Sequence, residues 1–193
     1  MLSRYSVLLT AIALAALVAG VATATPPSNI VGTFLARGTT SESFSFDVPR
    51  EVEVTKKVRL KTRKGQKPRF RIVKVKQTVL KPLIACGPAS QCDAVVQTIA
   101  FQPGGSTGWH SHPGALVVTV KSGTVTRYEA SCQKNAYSAG QAFVEMGPEH
   151  LVLVRNEGTE PAEVYVTYLV PAGTANAALR VDQAAPSVCA SVG

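Results

Sequence analysis

Between residues 94 and 170 the chain reads as short strands punctuated by Gly and Pro. Short apolar or alternating runs at 94–101, 115–121, 124–130, 141–145, 150–155 and 163–170 are separated by turn chemistry. The breakers are Pro103-Gly104-Gly105, Ser122-Gly123, Ala139-Gly140, Gly147-Pro148 and Asn156-Glu157-Gly158. Evenly spaced short strands with Gly and Pro between them predict an all-β sandwich or closed barrel. The best candidate for helix is a short piece at 174–180, and the tail beyond 181 reads as irregular. No internal repeat and no phosphate-loop or dinucleotide motif is present.

The first residues carry an export pattern. Arg4 gives a positive start, 7–18 is apolar apart from Thr10, and Ala22-Thr23-Ala24 is a small-x-small cleavage pattern. The apolar run is shorter than the roughly 20 residues that span a bilayer, which weighs against the alternative of an uncleaved anchor. The expected organisation is a signal peptide at 1–24, an arm and basic hairpin at 25–83, a main domain at 84–171 and a tail at 172–193. The mature protein is expected to be secreted or held at the cell envelope, with no transmembrane segment. In an oxidising compartment the four cysteines favour two disulfides. Turn residues between Cys86 and Cys92 suit a short bridge, leaving Cys132 to pair with Cys189. A cysteine metal cluster would need tight C-x-x-C spacing, which is absent.

Charge is concentrated in one segment. The chain carries a net +8, and thirteen Lys and Arg lie between Arg50 and Lys81 against two acids, Glu51 and Glu53. Val52, Val54, Val58, Leu60 and Thr62 fall on even positions, while Lys57, Arg59, Lys61 and Arg63 fall on odd ones. Side chains alternate along a strand, so this predicts an apolar face and a cationic face. Lys64-Gly65-Gln66-Lys67-Pro68 makes the turn of a long hairpin, and the apolar parity switches between Ile72 and Val73 as at a bulge. Two roles stand open: a polyanion contact, such as a cell-envelope polymer or acidic lipid, and an edge protected by lysines. Nucleic acid is disfavoured, because export removes the usual target and no recognition motif appears.

The chain has three histidines, His110, His112 and His150. His110 and His112 are two apart, which in a strand aims both imidazoles one way. Gly104, Gly108 and Gly123 surround them. This stretch resembles the first motif of the cupin superfamily, a glycine, a His-x-His pair, a glutamate and a final glycine. The expected glutamate is replaced by Leu116 or Val117. Gly140, Gly147 and His150 resemble the second motif, with Glu145 and Val154 where proline and asparagine are usual. A register set instead on Arg155-Asn156 gives Val152 the usual ligand position, with His150 two residues before it on the same face. The resemblance covers roughly 94–171 and implies a double-stranded β-helix, a jelly-roll barrel, with the basic hairpin as an N-terminal extension.

The resemblance also implies a divalent transition metal, Zn, Fe, Cu, Ni or Mn, held by His110, His112 and His150. Three neutral imidazoles would leave the ion its full charge and favour a small anionic ligand. Glu145 lies within reach but reads first as a surface charge. Trp109, Tyr128 and Tyr168 read as core aromatics before pocket residues. No Ser-His-Asp or Cys-His nucleophile is convincing, and the chain alone does not name a reaction. The leading expectation is a metal-binding cupin that binds or transforms a small molecule. The alternative is a non-enzymatic module anchored by its hairpin, and the resemblance extends to a homodimer.

Overall fold

The computed structural model describes residues 23–192, so all but the last two residues of the expected signal peptide lie outside it. The strands are β1 (Ser28–Thr40), β2 (Phe44–Arg59), β3 (Phe70–Cys86), β4 (Cys92–Ser106), β5 (His110–Ser111) and β6 (Ala115–Ser122). They continue with β7 (Thr124–Glu129), β8 (Lys134–Ser138), β9 (Ala142–Met146), β10 (Val152–Arg155), β11 (Ala162–Pro171) and β12 (Val181–Asp182). Among the described residues there is no α-helix; the expected helical piece is a single 3-10 turn at Asn176–Ala178. No helix of the described residues is long and apolar enough to cross a membrane.

One sheet runs β12-β5-β10-β4-β11-β6-β9, with β1 also on β4 and β7 joining β10 to β8. The strand β11 shows why these residues close a barrel. Ala162, Val164, Val166, Tyr168 and Val170 point inward and are buried, while Tyr165, Thr167 and Pro171 face out. Their inward side packs with Phe101, Leu116, Val118, Val125 and Phe143 in the main core. A second cluster, Trp109, Tyr128, Leu153 and Cys189, closes one end.

Both expected disulfides are present, Cys86–Cys92 and Cys132–Cys189. The second bridges a sequence separation of 57 residues against 6 for the first. In chain-entropy terms that is about 4 kcal/mol for the long loop and about 2 kcal/mol for the short one. The tail is largely irregular in backbone yet fixed to the barrel, and β12 pairs with β5, setting Val181 beside Ser111 and Asp182 beside His110. Strand β8 also departs from expectation. Its Lys134-Asn-Ala-Tyr-Ser sequence carries little apolar signal, and it forms because the turn after β7 returns it to that strand.

The hairpin β2–β3 stands as its own two-stranded sheet, paired from Phe44 with Cys86 to Arg59 with Phe70. The expected bulge at Ile72 and Val73 is absent. The register shift lies at the base instead, between Phe46 and Asp47. Ile72 simply lies on the charged face, across from Lys57, and Val73 and Val75 share the other face with Val54 and Val52.

Asp93 ties the first strand and the tail to the barrel. It is buried, accepts from Thr39 Oγ1 at 2.6 Å and from the Gly173 amide at 3.0 Å, and pairs with Arg37. The Thr39 hydrogen bond leads in lowering its pKa; burial opposes it, and Gly173 and Arg37 assist. A carboxyl depressed in the folded state stabilises fully above its unfolded pKa, about 3.9, and loses that contribution as pH falls through the folded value. Asp93→Asn is therefore expected to cost about 2–3 kcal/mol at neutral pH. The gap to wild type should narrow as urea titrations are repeated from pH 5 downward; a gap independent of pH would refute the assignment.

Candidate metal centre

Strand β5 is only two residues long because Gly108 turns the chain into it. Gly108 has φ of +66°, and a Cβ there would lie 2.0 Å from the Thr25 carbonyl oxygen, so only glycine fits. The strand delivers His110 into the barrel and His112 follows just beyond it, with ring centroids 4.7 Å apart. Both rings are buried.

Backbone carbonyls fix their tautomers. His110 Nδ1 lies 2.9 Å from the Gly108 carbonyl oxygen, and His112 Nδ1 lies 2.6 Å from that of Leu179. A carbonyl only accepts, so each Nδ1 carries the proton and donates. In the neutral rings both Nε2 atoms are then bare lone pairs, and both face Glu145. Its Oε2 lies 2.9 Å from His112 Nε2 and 3.7 Å from His110 Nε2. The closer approach lacks hydrogen-bond alignment, and His112 Nε2 is a buried atom without a partner.

Three buried acceptors converging on one point repel unless a cation lies among them. The donor atoms of His110, His112 and Glu145 all lie within 4.8 Å of one another. Nitrogen and oxygen ligands at about 2.1 Å from one ion stand about 3.0–3.4 Å apart, so His110 would close in slightly from 3.7 Å, and the orphaned lone pair of His112 is the donor a metal ion needs. Burial alone would push the Glu145 carboxyl up. Imidazoles that also carried a proton at Nε2 would outweigh burial and hold the group below the usual carboxylate range, so the cluster calls for positive charge.

A cavity of about 50 Å³ opens beside these residues, with Thr107, Tyr168 and Arg180 on its wall among apolar side chains such as Phe101, Val118 and Val166. The Tyr168 hydroxyl donates to Gln97 Oε1 at 2.9 Å. Its burial, reinforced by the negative charge of Glu145 and eased by Arg180, pushes its pKa up, so it stays a neutral phenol. Arg180 donates to the Thr107 carbonyl and pairs with Asp182 at 2.6 Å, leaving its buried Nε without a partner.

A family model described as the cupin domain matches residues 97–168. Residues 97–168 are a cupin domain. Among solved structures, the chain is similar to a Klebsiella pneumoniae protein with a double-stranded β-helix domain, at 22% identity and a TM-score of 0.39. That likeness covers 46% of this chain and 73% of the other. It is also similar to a Cupin 2 conserved barrel protein from Salinispora arenicola, at 19% identity and TM-score 0.37, covering 41% and 64%. A Silicibacter pomeroyi sugar phosphate isomerase of the cupin superfamily matches at 18% identity and TM-score 0.35, covering 38% and 48%. No curated protein matches.

Two sequence expectations need correction within the cupin domain. His150 is not brought to the histidine pair. It closes a turn, its amide donating to the Gly147 carbonyl at 3.1 Å, and lies ahead of β10, so strand alternation does not govern its direction. Both of its ring nitrogens are already engaged. Nδ1 accepts from the Met146 amide at 2.9 Å and Nε2 lies 2.7 Å from Glu129 Oε2, whose other oxygen holds Arg127. Val152 is the residue that pairs with His110.

Glu145, read first as a surface charge, is 2% exposed. It pairs directly with Leu116, one of the two positions where the cupin motif would place its glutamate. Directly opposed residues on antiparallel strands share a face, so the barrel receives its carboxylate from β9 instead of β6. Only the strand register reveals this. Trp109 is core, fully buried, with its indole N–H donating to the Val192 carbonyl at 2.6 Å. Tyr128 packs in the same cluster.

Replacing the carboxylate by an amide gives the cluster a donor for one bare Nε2. Glu145→Gln, stripped of metal with chelator at pH 8, is expected to melt no lower than equally treated wild type. A fall of more than about 1 kcal/mol, of the size of a lost hydrogen bond, would show that the carboxylate is satisfied by the imidazoles alone.

Proposed function

We propose that this is an exported, metal-dependent cupin in which His110, His112 and Glu145 hold one divalent transition ion and Arg180 helps seat a small anion. The observation that carries the reading is the convergence of two bare, buried Nε2 lone pairs on one buried carboxylate. Imidazole with carboxylate is a donor set used by Zn, Fe, Ni, Cu and Mn. When bound, such an ion supplies Lewis acidity and lowers the pKa of a coordinated water.

The chain's own residues set the rest. The Gly108 and Leu179 carbonyls orient the imidazoles, as the outer partners of metal-binding histidines commonly do. Glu145 removes one unit of the ion's charge, so attraction for an anion depends more on Arg180 than three neutral ligands would require. The cavity admits a ligand of only a few heavy atoms, a small carboxylate or similar oxyanion. Tyr168, held neutral, offers a hydroxyl rather than a phenolate on the same wall. The two disulfides support an oxidising compartment, in line with the export pattern.

Elemental analysis of the mature protein, purified without an affinity tag, tests the centre. About one equivalent of a transition metal is expected in wild type and in His150→Ala, and none in the His110→Ala, His112→Ala double variant. Retention of metal by the double variant, or its absence from wild type after reconstitution, would refute the proposal. Arg180→Ala should keep the metal while weakening formate or acetate binding by about tenfold, the cost of one charge-assisted contact. Assays of the loaded protein with small carboxylates then separate turnover from binding alone.

A further inference from the structure

Among the described residues, the distal half of the β2–β3 hairpin has no partner outside its own two strands. Its contacts with the barrel are at the base, where Ile84 and Phe46 pack with Cys86, Cys92 and Leu169, and Arg50 bonds Glu149 at 2.8 Å. From Val54 to Val79 no residue is buried. That stretch holds eleven cations and no acid. Lys74 and Lys76 bond Glu53 and Glu51, which leaves nine cations without a carboxylate.

Apolar residues stand among these charges on both faces. Register places Val58 beside Arg71 on one face, with Leu60 at the end of the same row, its amide donating to the Arg69 carbonyl. On the other face, Phe70 pairs with Arg59 and Ile72 with Lys57, whose ammonium sits 4.6 Å from the Phe70 ring centroid. Val58, Leu60, Phe70 and Ile72 are 45%, 38%, 49% and 62% exposed. Edge protection explains lysines but not four exposed apolar side chains among them. An isolated two-stranded ribbon in water gains nothing from such residues.

We propose that the hairpin tip docks on an anionic lipid surface, entering the headgroup layer end-on. The cations would meet lipid phosphates while Val58, Leu60, Phe70 and Ile72 reach the acyl boundary, a depth of about 5–10 Å. A second copy of the chain is a poor occupant, because nine cations would face nine. A soluble polyanion answers the charge and leaves the apolar residues in water. A bilayer with anionic headgroups answers both, and each basic side chain near its surface strengthens partition about fivefold. The inference does not depend on the metal centre.

Co-sedimentation of the mature protein with vesicles of 30% phosphatidylglycerol in phosphatidylcholine, beside pure phosphatidylcholine vesicles, is the test. Binding to the anionic vesicles alone is expected, falling at least about a hundredfold in the Lys61→Glu, Lys64→Glu, Lys67→Glu variant. The Leu60→Ser, Ile72→Ser variant should lose at least about tenfold on vesicles yet bind polyphosphate as wild type does. Near-ultraviolet circular dichroism of the buried Trp109 checks that both variants keep the barrel. Equal binding to neutral vesicles, or no binding to either, would overturn the proposal. So would an apolar variant that binds vesicles as well as wild type, since that outcome assigns the hairpin to soluble polyanions.

Discussion

A carboxylate sealed in a β-barrel is tolerable only with compensating charge or donors at hand, and Glu145 sits against two imidazoles whose protons point away from it. That orientation is enforced by backbone carbonyls, which the fold cannot easily move. The Gly108 carbonyl belongs to the turn entering β5, and the Leu179 carbonyl to the tail that crosses the same end of the barrel. The cluster is thus short of a cation by construction. Neutralising it by protonating an imidazole and neutralising it with a metal are alternatives, so metal binding should displace protons.

The tail belongs to the centre and does not merely cover it. Leu179 holds His112, Arg180 reaches the Thr107 carbonyl, and Val181–Asp182 pair with Ser111 and His110. Val192 accepts the Trp109 indole proton, and Cys189 is bonded to Cys132. Removing the long-range disulfide would free the segment that orients His112 and brings Arg180 to the pocket wall. A small barrel gains rigidity at its open end in this way without a helix. The cost is that order in the tail and order in the centre are coupled, and a metal that binds only the folded form stabilises both.

The sequence made some of this legible and hid the rest for identifiable reasons. His110 and His112 were readable because two-residue spacing has a geometric meaning in a strand, and the barrel followed from the spacing of its turns. Glu145 was readable only as an option behind a surface charge. Its membership depends on β6 and β9 pairing so that residue 145 stands opposite residue 116, which is a fact of tertiary register. His150 misled because alternation was extended into a turn, where the Gly147 carbonyl and not the pleat sets direction. The pairing of β12 with β5 escaped because two-residue strands have no period to detect. The parity change at Ile72 marked an exposed apolar residue on the charged face, and the bulge it suggested lies at the hairpin base.

That misread parity is itself informative about the hairpin. A strand evolving only to avoid edge pairing would keep apolar residues on one face and charges on the other, because mixing them exposes apolar surface twice. Here Val58, Leu60, Phe70 and Ile72 stand exposed among the cations of the tip. Near the base the charges are paired across strands, Lys76 with Glu51 and Lys74 with Glu53, and Val48 is buried. Beyond Val54 the acids stop, the cations continue and apolar side chains appear on both faces. Cationic attraction alone would act over about 10 Å at moderate salt and fade as salt rises. Apolar contact acts only on touching and persists in salt. A tip carrying both is suited to be drawn to an anionic boundary and then held there, which is a different task from the centre's and needs nothing from it.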